Sequence, residues 1–350
     1  MTRVLIEEFP HAPGGHCGST SMRDLLKFYG HEFTEDMVFG LGAGIDFMYV
    51  SGPSIEPPVY IGGRSPELEA YLCQTLGVGM ELVTGLDAES GWVAVKELMD
   101  SGVPVLVHAD VYYLDYLHAK RHFSAHRIVL VGYDDARAVA YVADNDRDEI
   151  QECSLESLAR ARSSTALPRP AGNAYYRFEV PDTLAPLSEA VPLAIAEAVR
   201  HNIRLAPGEA SFDSDGWKVS LGTEALRAFA DGMPGWPGSM TDEMLTLLCK
   251  SIYVSAEKGG TGYGGNFRRM YGRFLIEAAE STGNKALAGV GSEFVAIGDS
   301  WSKVSFTFKD NSSNGARAVE LAHPVALEIS EREPAAFEAL DSANRGWTAP

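Results

Sequence analysis

Two hydrophobic periods divide the chain. From residue 60 to 180, runs with helical spacing alternate with short strand-like runs, whereas from about 184 onward nearly every run repeats with helical period. The first half predicts a helix at about 18–29, where Met22, Leu25, Leu26, Phe28 and Tyr29 fall at helical spacing, and another over 66–76. A strand near 80–84, a helix at about 89–101 and the apolar strand 104–108 follow. Strands 127–131 and 138–142 are joined through Tyr133, Asp134 and Asp135, a polar connection suited to a hairpin turn. A strand over 174–180 is expected to close the sheet. Short consecutive strands favour an α+β domain, an antiparallel sheet with helices packed to one side, over a wound parallel sheet. Beyond a linker at Pro181 and Pro186, helices are predicted at about 187–201, 222–231, 241–257 and 265–281, with 284–308 and 316–332 also helical by pattern. The expected division is therefore a catalytic domain at 1–183 and a mainly α-helical substrate or partner domain at 184–350, with a tail from Trp347 to Pro350 that packs little.

Composition narrows the class of function. With 350 residues, two domains are the natural expectation, and 45% apolar with 22% charged residues is ordinary globular composition, far from disorder. There are 48 acidic and 29 basic residues, a formal net charge of −19, which argues against neutralising nucleic-acid phosphates or binding an anionic membrane. No stretch approaches the roughly 20 apolar residues needed to span a bilayer, and Glu7 and Glu8 stand where a signal peptide would be apolar, so a cytoplasmic protein is expected. Cys17, Cys73, Cys153 and Cys249 form no CxxC pair, which indicates neither a zinc knuckle nor a disulfide framework.

One cysteine stands out by its surroundings. Cys17 lies in Pro13-Gly14-Gly15-His16-Cys17-Gly18-Ser19-Thr20-Ser21 at the head of the first predicted helix. A helix N-terminus offers unpaired N–H groups and a positive dipole end, which stabilise a thiolate, so Cys17 is the candidate nucleophile. A thiolate nucleophile needs a base and a group that orients the base. His126 heads one strand of the predicted hairpin and Asp144 follows the end of the other. Antiparallel pairing places the start of one strand beside the end of its partner, so imidazole and carboxylate should meet. His126 would then exchange a proton with Cys17 or a leaving group while Asp144 fixes its tautomer. The other cysteines lie in apolar periodic contexts and are expected in the core.

The glycine-rich Cys17 at a helix start, His126 before an apolar strand with Gly132-Tyr133-Asp134, and then Asp144 resemble the papain-like peptidases, above all the bacterial enzymes that cut double-glycine leaders. That resemblance implies a papain-like fold with an oxyanion donor six residues before the cysteine, normally glutamine. Here the position is His11, which could donate an N–H, with the Cys17 backbone N–H as the second donor. A closer resemblance spans most of 1–340. Gly15 to Ser21, the block 104–117 (PVLVHADVYYLDYL), and Phe267-Arg268-Arg269-Met270-Tyr271-Gly272-Arg273-Phe274-Leu275 are similar to the family of butirosin biosynthesis protein H. This implies an acyltransferase of specialised metabolism that takes an acyl group from a carrier-protein thioester and delivers it to an amine. The acyl donor would arrive on a phosphopantetheine arm of the carrier protein, with no cofactor of the enzyme's own.

Further candidates follow from this reading. Asp110, after strand 104–108 and followed by Tyr112, Tyr113 and Tyr116, is the candidate for binding an acceptor amine and stacking on substrate. Arg268, Arg269 and Arg273 form a basic cluster that could meet an acidic carrier protein or its phosphate, with solvated charges or internal ion pairs as the alternative. His16 is expected at a polar rim, since neighbours at a helix start point apart. His118 and His122 are four apart, but no third ligand stands at a recognisable spacing and Lys120 and Arg121 lie between them, so no metal is expected. The glycine-rich run 259–266 has no Walker lysine and no preceding strand and is read as a connection rather than a nucleotide site. The rival readings are a peptidase or thioesterase, a cyclase in which the substrate's own nucleophile attacks, and a binding protein that keeps the fold without the chemistry.

Overall fold

The computed structural model describes residues 2–53, 55–206, 208–214, 216–258 and 262–347. In chain order its elements are β1 (Arg3–Leu5), α1 (Cys17–Phe28), α2 (Glu35–Leu41), β2 (Ile45–Ser51), β3 (Val59–Arg64), α3 (Leu68–Leu76), β4 (Gly79–Val83), α4 (Ala88–Asp100), β5 (Val105–Ala109), β6 (His126–Asp134), β7 (Val139–Ala143), β8 (Gln151–Ser154), α5 (Leu155–Ser163) and β9 (Tyr175–Glu179). Then come α6 (Leu187–Ile203), β10 (Ser211–Ser214), β11 (Trp217–Leu221), α7 (Gly222–Gly232), α8 (Trp236–Ser239), α9 (Asp242–Tyr253), α10 (Arg268–Thr282), α11 (Ala286–Asp310) and α12 (Gly315–Arg345). The chain is thus mixed α/β with antiparallel sheets and a mainly helical C-terminal part.

Two compact units emerge, one from 1–38 with 77–184, the other from 39–76 with 185–350. The first is built on the sheet β4-β9-β5-β6-β7-β8, with β1 also beside β6. Every residue of β5 and β6 is buried, and their apolar residues run together, at 105–107 and 128–131, instead of alternating. Val105, Val107, Ile128, Leu130, Ala140 and Val142 form a core with Val95 and Met99 of α4 and Leu158 and Ala161 of α5. Gly132 in β6 has no side chain for a steric reason: a Cβ there would lie 2.2 Å from the Val4 carbonyl oxygen of β1. The β6–β7 hairpin turns where expected, with Asp134 Oδ1 accepting the N–H groups of Ala136 (2.9 Å) and Arg137 (3.1 Å). The strand expected to close the sheet, β9, lies inside it between β4 and β5.

In the second unit the sequence reading needs correction. The span after 184 is not helical throughout, because β10 and β11 form a hairpin whose second strand pairs with β2, giving the sheet β10-β11-β2-β3. That partner lies more than 160 residues earlier, and a local period carries no trace of it. The pairing also groups 39–76 with the helical half, where the sequence reading had taken 1–183 as one domain. Helix α12 continues well past 332, through Pro324 and Pro334, and buries Ala336, Phe337 and Leu340 in its last turns. Packing outweighs the backbone donor each proline removes. Residues 259–261 of the glycine-rich run and 348–350 of the tail lie outside the described residues.

Candidate active site

The site begins with the loop before α1. Gly14 is needed there, since a Cβ would fall 2.0 Å from Thr20 Oγ1. His16 is the N-cap, with extended backbone at φ −145° and ψ 130°, and its Nδ1 accepts the Ser19 N–H at 3.2 Å. The ring therefore folds back over the first turn. Glu35 of α2, buried beside it, accepts the N–H groups of Gly15 and His16 (both 2.9 Å) and the hydroxyls of Ser19 (3.0 Å) and Thr20 (2.9 Å). One carboxylate thus holds the loop and the first turn of the helix in register.

Cys17, the first residue of α1, is 6% exposed. Burial would push its thiol up, yet hydrogen bonds and charge from His126 and His16 outweigh burial and hold it well below its ordinary value of 9.0. The other cysteines behave oppositely. They are buried, and burial raises Cys73 to about 12 and Cys249 to about 11, while Cys153, beside Asp115 as well, is also pushed up.

His126 opens β6 and Asp144 follows β7, and the hairpin brings His126 Nε2 to 2.9 Å from Asp144 Oδ2. The other nitrogen, Nδ1, is left for Cys17, with which His126 is hydrogen-bonded. Burial opposes a charge on the imidazole, but the adjacent Asp144 carboxylate and the Cys17 thiolate raise its affinity for a proton. Asp144 is 1% exposed; burial would raise it, but His126, the Tyr116 hydroxyl at 2.8 Å and the Asp146 N–H keep it below the usual carboxylate range. The directions of these shifts favour a thiolate–imidazolium pair backed by an ionised aspartate.

This electrostatic arrangement predicts the chemistry of the resting enzyme. A small electrophile should alkylate Cys17 rapidly at neutral pH, with the rate held well below the pH at which an ordinary thiol loses its thiolate. His126→Gln should move the midpoint upward, toward the ordinary value, because the thiolate loses its largest stabilising partner. Mass mapping of the modified cysteine across pH checks both. Earlier reaction at Cys73, Cys153 or Cys249 would count against the assignment.

Other sequence candidates stand differently in three dimensions. His11 spends both ring nitrogens inside the protein, with Nδ1 3.0 Å from Asp24 Oδ2 and Nε2 2.9 Å from the Arg147 carbonyl oxygen. Burial works against its charge, but these two acceptors outweigh it and raise its pKa, so both nitrogens carry protons. In this arrangement no His11 donor remains for an oxyanion; the residue ties α1 to the loop after Asp144. Asn145 adds a second tie, with its carbonyl accepting the Gly14 N–H at 2.9 Å and its Nδ2 donating to the Gly14 carbonyl at 3.2 Å.

Asp110 is fully buried and saturated. Oδ1 accepts the N–H groups of Tyr112 (3.1 Å) and Phe123 (3.0 Å), while Oδ2 takes His122 Nδ1 and Ser164 Oγ, both at 2.7 Å. With four donors on two oxygens it organises the loop 110–124 and has no capacity left for a substrate amine. His122, read with His118 as a weak metal pair, is one of those donors. Tyr116, expected to contact substrate, instead donates to Asp144. Tyr113 lies under the Arg160 guanidinium, and Tyr112 is 44% exposed and stacks on His122 with ring centroids 4.1 Å apart.

Of the basic cluster only Arg268 is internal; Arg269 and Arg273 are partly exposed. Arg268 is fully buried, donates to both Glu333 oxygens (3.0 and 2.5 Å), and reaches the Gly63 and Asn266 carbonyls. Arg269 bonds Asp299 and Ser302, and the Arg273 guanidinium lies 6.0 Å from the centre of the Tyr263 ring. His16, expected at a polar rim, is 2% exposed, and its charge contributes to the lowering of the Cys17 thiol. Sequence reasoning missed Glu35. Thr34, whose Oγ1 accepts the Met37 N–H at 3.0 Å, signals a helix start next to it, but nothing in the spacing ties Glu35 to the cysteine loop.

Among the described residues no helix is long and apolar enough to cross a membrane. No curated protein matches the chain. Two family profiles do. One, described as butirosin biosynthesis protein H, N-terminal, covers residues 16–145 and so spans Cys17 through Asp144. The other, described as a domain of unknown function (DUF4872), covers 156–340, more than half of the chain. With the N-terminal profile on the cysteine segment and the helical part matched in turn, the chain belongs to the butirosin biosynthesis protein H family.

Proposed function

We propose that the protein is a cysteine-dependent acyltransferase of specialised metabolism, moving an acyl group from a carrier-protein thioester to an amine through an acyl-enzyme on Cys17. The observation that carries this reading is the thiolate-type Cys17 hydrogen-bonded to a buried His126 that Asp144 holds at 2.9 Å. The chain order cysteine, histidine, aspartate, with the cysteine heading a helix and the histidine opening a strand of an antiparallel sheet, supports a papain-like catalytic unit.

In the first half-reaction the Cys17 thiolate attacks the thioester carbonyl. As the first helical residue, Cys17 has a backbone N–H with no acceptor within its helix, and this group would face the oxyanion. Collapse of the tetrahedral adduct expels the carrier thiolate, which takes a proton from His126. In the second, the amine attacks the enzyme thioester and gives its proton to the now neutral His126 as Cys17 leaves, so that the amide forms and the thiolate–imidazolium pair is restored. Asp144 stays ionised throughout and stabilises the imidazolium. The phosphopantetheine arm of the carrier supplies the donor thioester, and the enzyme itself needs no cofactor or metal.

Whether water or an amine discharges the intermediate depends on who occupies the acceptor position and how well water is kept away. Since Asp110 is saturated, the proposed substrate contact of its loop passes to Tyr112, whose exposed ring is anchored by His122, with Tyr113 behind it. Tyr116 ties the same loop to Asp144. Arg268 drops out as a carrier contact because its charge is spent on the buried Glu333, which leaves the partly exposed Arg269 and Arg273 as the proposed contact.

The test is to mix the enzyme with acyl thioesters of N-acetylcysteamine and follow its intact mass. An adduct on Cys17 that persists without acceptor, and that a primary amine discharges to an amide, is the expected result. Rapid release of free acid whether or not amine is present would make the enzyme a hydrolase, and discharge by an amine tethered within the acyl chain would make it a cyclase.

A further inference from the structure

A pocket lies in the same unit as Cys17, between α4 and α5. It is a cavity of about 260 Å³ lined by Trp92, Leu155, Leu158, Ala159, Arg162 and Asn173 among others. Its walls are mostly apolar; the polar side chains are Asn173, the exposed Glu89 and Arg162, which is 2% exposed. Among the described residues this guanidinium pairs with no carboxylate. Both of its hydrogen bonds leave from Nη2, to the carbonyls of Gly91 (3.1 Å) and Asn173 (3.3 Å), and Nε is buried with no partner. A buried charge without a counter-charge is costly, and proteins seldom retain one without use. Burial also pulls its affinity for a proton down, to a pKa of about 10, which still leaves it cationic at neutral pH.

We propose that this pocket binds a small organic monocarboxylate with an apolar body, its carboxylate on Arg162 and its hydrocarbon against Trp92, Leu155 and Leu158. The guanidinium fork matches the two oxygens of a carboxylate, and a part of that fork is unused. The volume is close to the lower end of ordinary ligand sites, which fits a compact molecule. Glu89, exposed at the same cavity, repels a doubly charged ligand about twice as strongly as a monoanion and so favours a monocarboxylate over a dicarboxylate or phosphate dianion. Nothing in this reading depends on Cys17 chemistry.

The full chain titrated calorimetrically with sodium benzoate tests the proposal, with benzamide as the neutral isostere and inorganic phosphate as a compact anion. Benzoate should bind saturably at one site and raise the melting temperature, and benzamide and phosphate should bind at least about tenfold more weakly. Arg162→Met should weaken benzoate by a similar factor. Ala159→Trp, which fills the cavity and leaves the guanidinium in place, should also abolish binding, and it decides the matter if Arg162→Met does not fold. Alkylation of Cys17 should leave the benzoate affinity unchanged. Equal binding of benzoate and benzamide, stronger binding of phosphate, unaltered binding by Ala159→Trp, or loss of binding on Cys17 alkylation would each overturn the proposal.

Discussion

Cys17→Ala is expected to abolish the acyl adduct and to lower turnover by about 10⁴-fold or more, since removing the nucleophile of a triad costs nearly as much as removing the whole triad. The fold should survive. Cys17 is buried but small, so alanine removes a single sulfur atom, and the loop around it is held by Glu35, His16 and Asn145 through bonds that do not use the thiol. Its loss also removes a buried thiolate, so thermal stability should be unchanged or raised. Intact-mass analysis with a thioester donor and a melting curve on the same preparation check the two halves. Turnover retained in Cys17→Ala would remove the acyl-enzyme from the mechanism.

Asp144→Asn should lower acyl transfer by about 10²- to 10⁴-fold with the fold intact, the range spanned by lost acid–base catalysis and by loss of the orienting carboxylate in a serine triad. The cause is electrostatic. Asp144 is the strongest neighbour raising the proton affinity of His126, and without that charge the buried imidazolium is no longer favoured. The thiolate then loses its partner, so the pH at which Cys17 becomes reactive should rise together with the fall in turnover. That coupled shift separates a positioning charge from a merely structural residue. Asp146→Asn serves as the control: its carboxylate is exposed and pairs with Arg147, and Asp144 receives only its backbone N–H. An inactive Asp146→Asn beside an active Asp144→Asn would reassign the role.

The Asp144 carboxylate also bears on acid stability. Its pKa is depressed in the folded state, so its contribution is complete above the unfolded carboxylate value of about 4 and is lost as pH falls through the lower folded value. His126 acts in the opposite sense. Its folded pKa is raised, so its contribution is complete below the unfolded histidine value of about 6.5 and is lost as pH rises through the folded one.

The relations legible along the chain are those that local patterns encode. Glycines and a helical apolar spacing behind Cys17 placed it at a helix N-terminus, and a short polar connection between two apolar runs made a hairpin whose geometry alone brings His126 to Asp144. The antiparallel sheet with its flanking helices followed from the same periods. Tertiary structure decided everything that depends on competition for partners. A carboxylate or imidazole has a fixed number of hydrogen-bonding sites, and which neighbours fill them depends on distance in space, not along the chain. Hence Asp110, well placed to bind an amine by sequence, is saturated by Tyr112, Phe123, His122 and Ser164. His11 is taken by Asp24 and Arg147, and Arg268 by Glu333. For the same reason Glu35 could not be read as the carboxylate that secures the cysteine loop, nor 39–76 as part of the second unit. The pairing of β2 with β11 across more than 160 residues fixes that grouping, and strand periodicity says which face of a strand is buried but not which strand lies beside it.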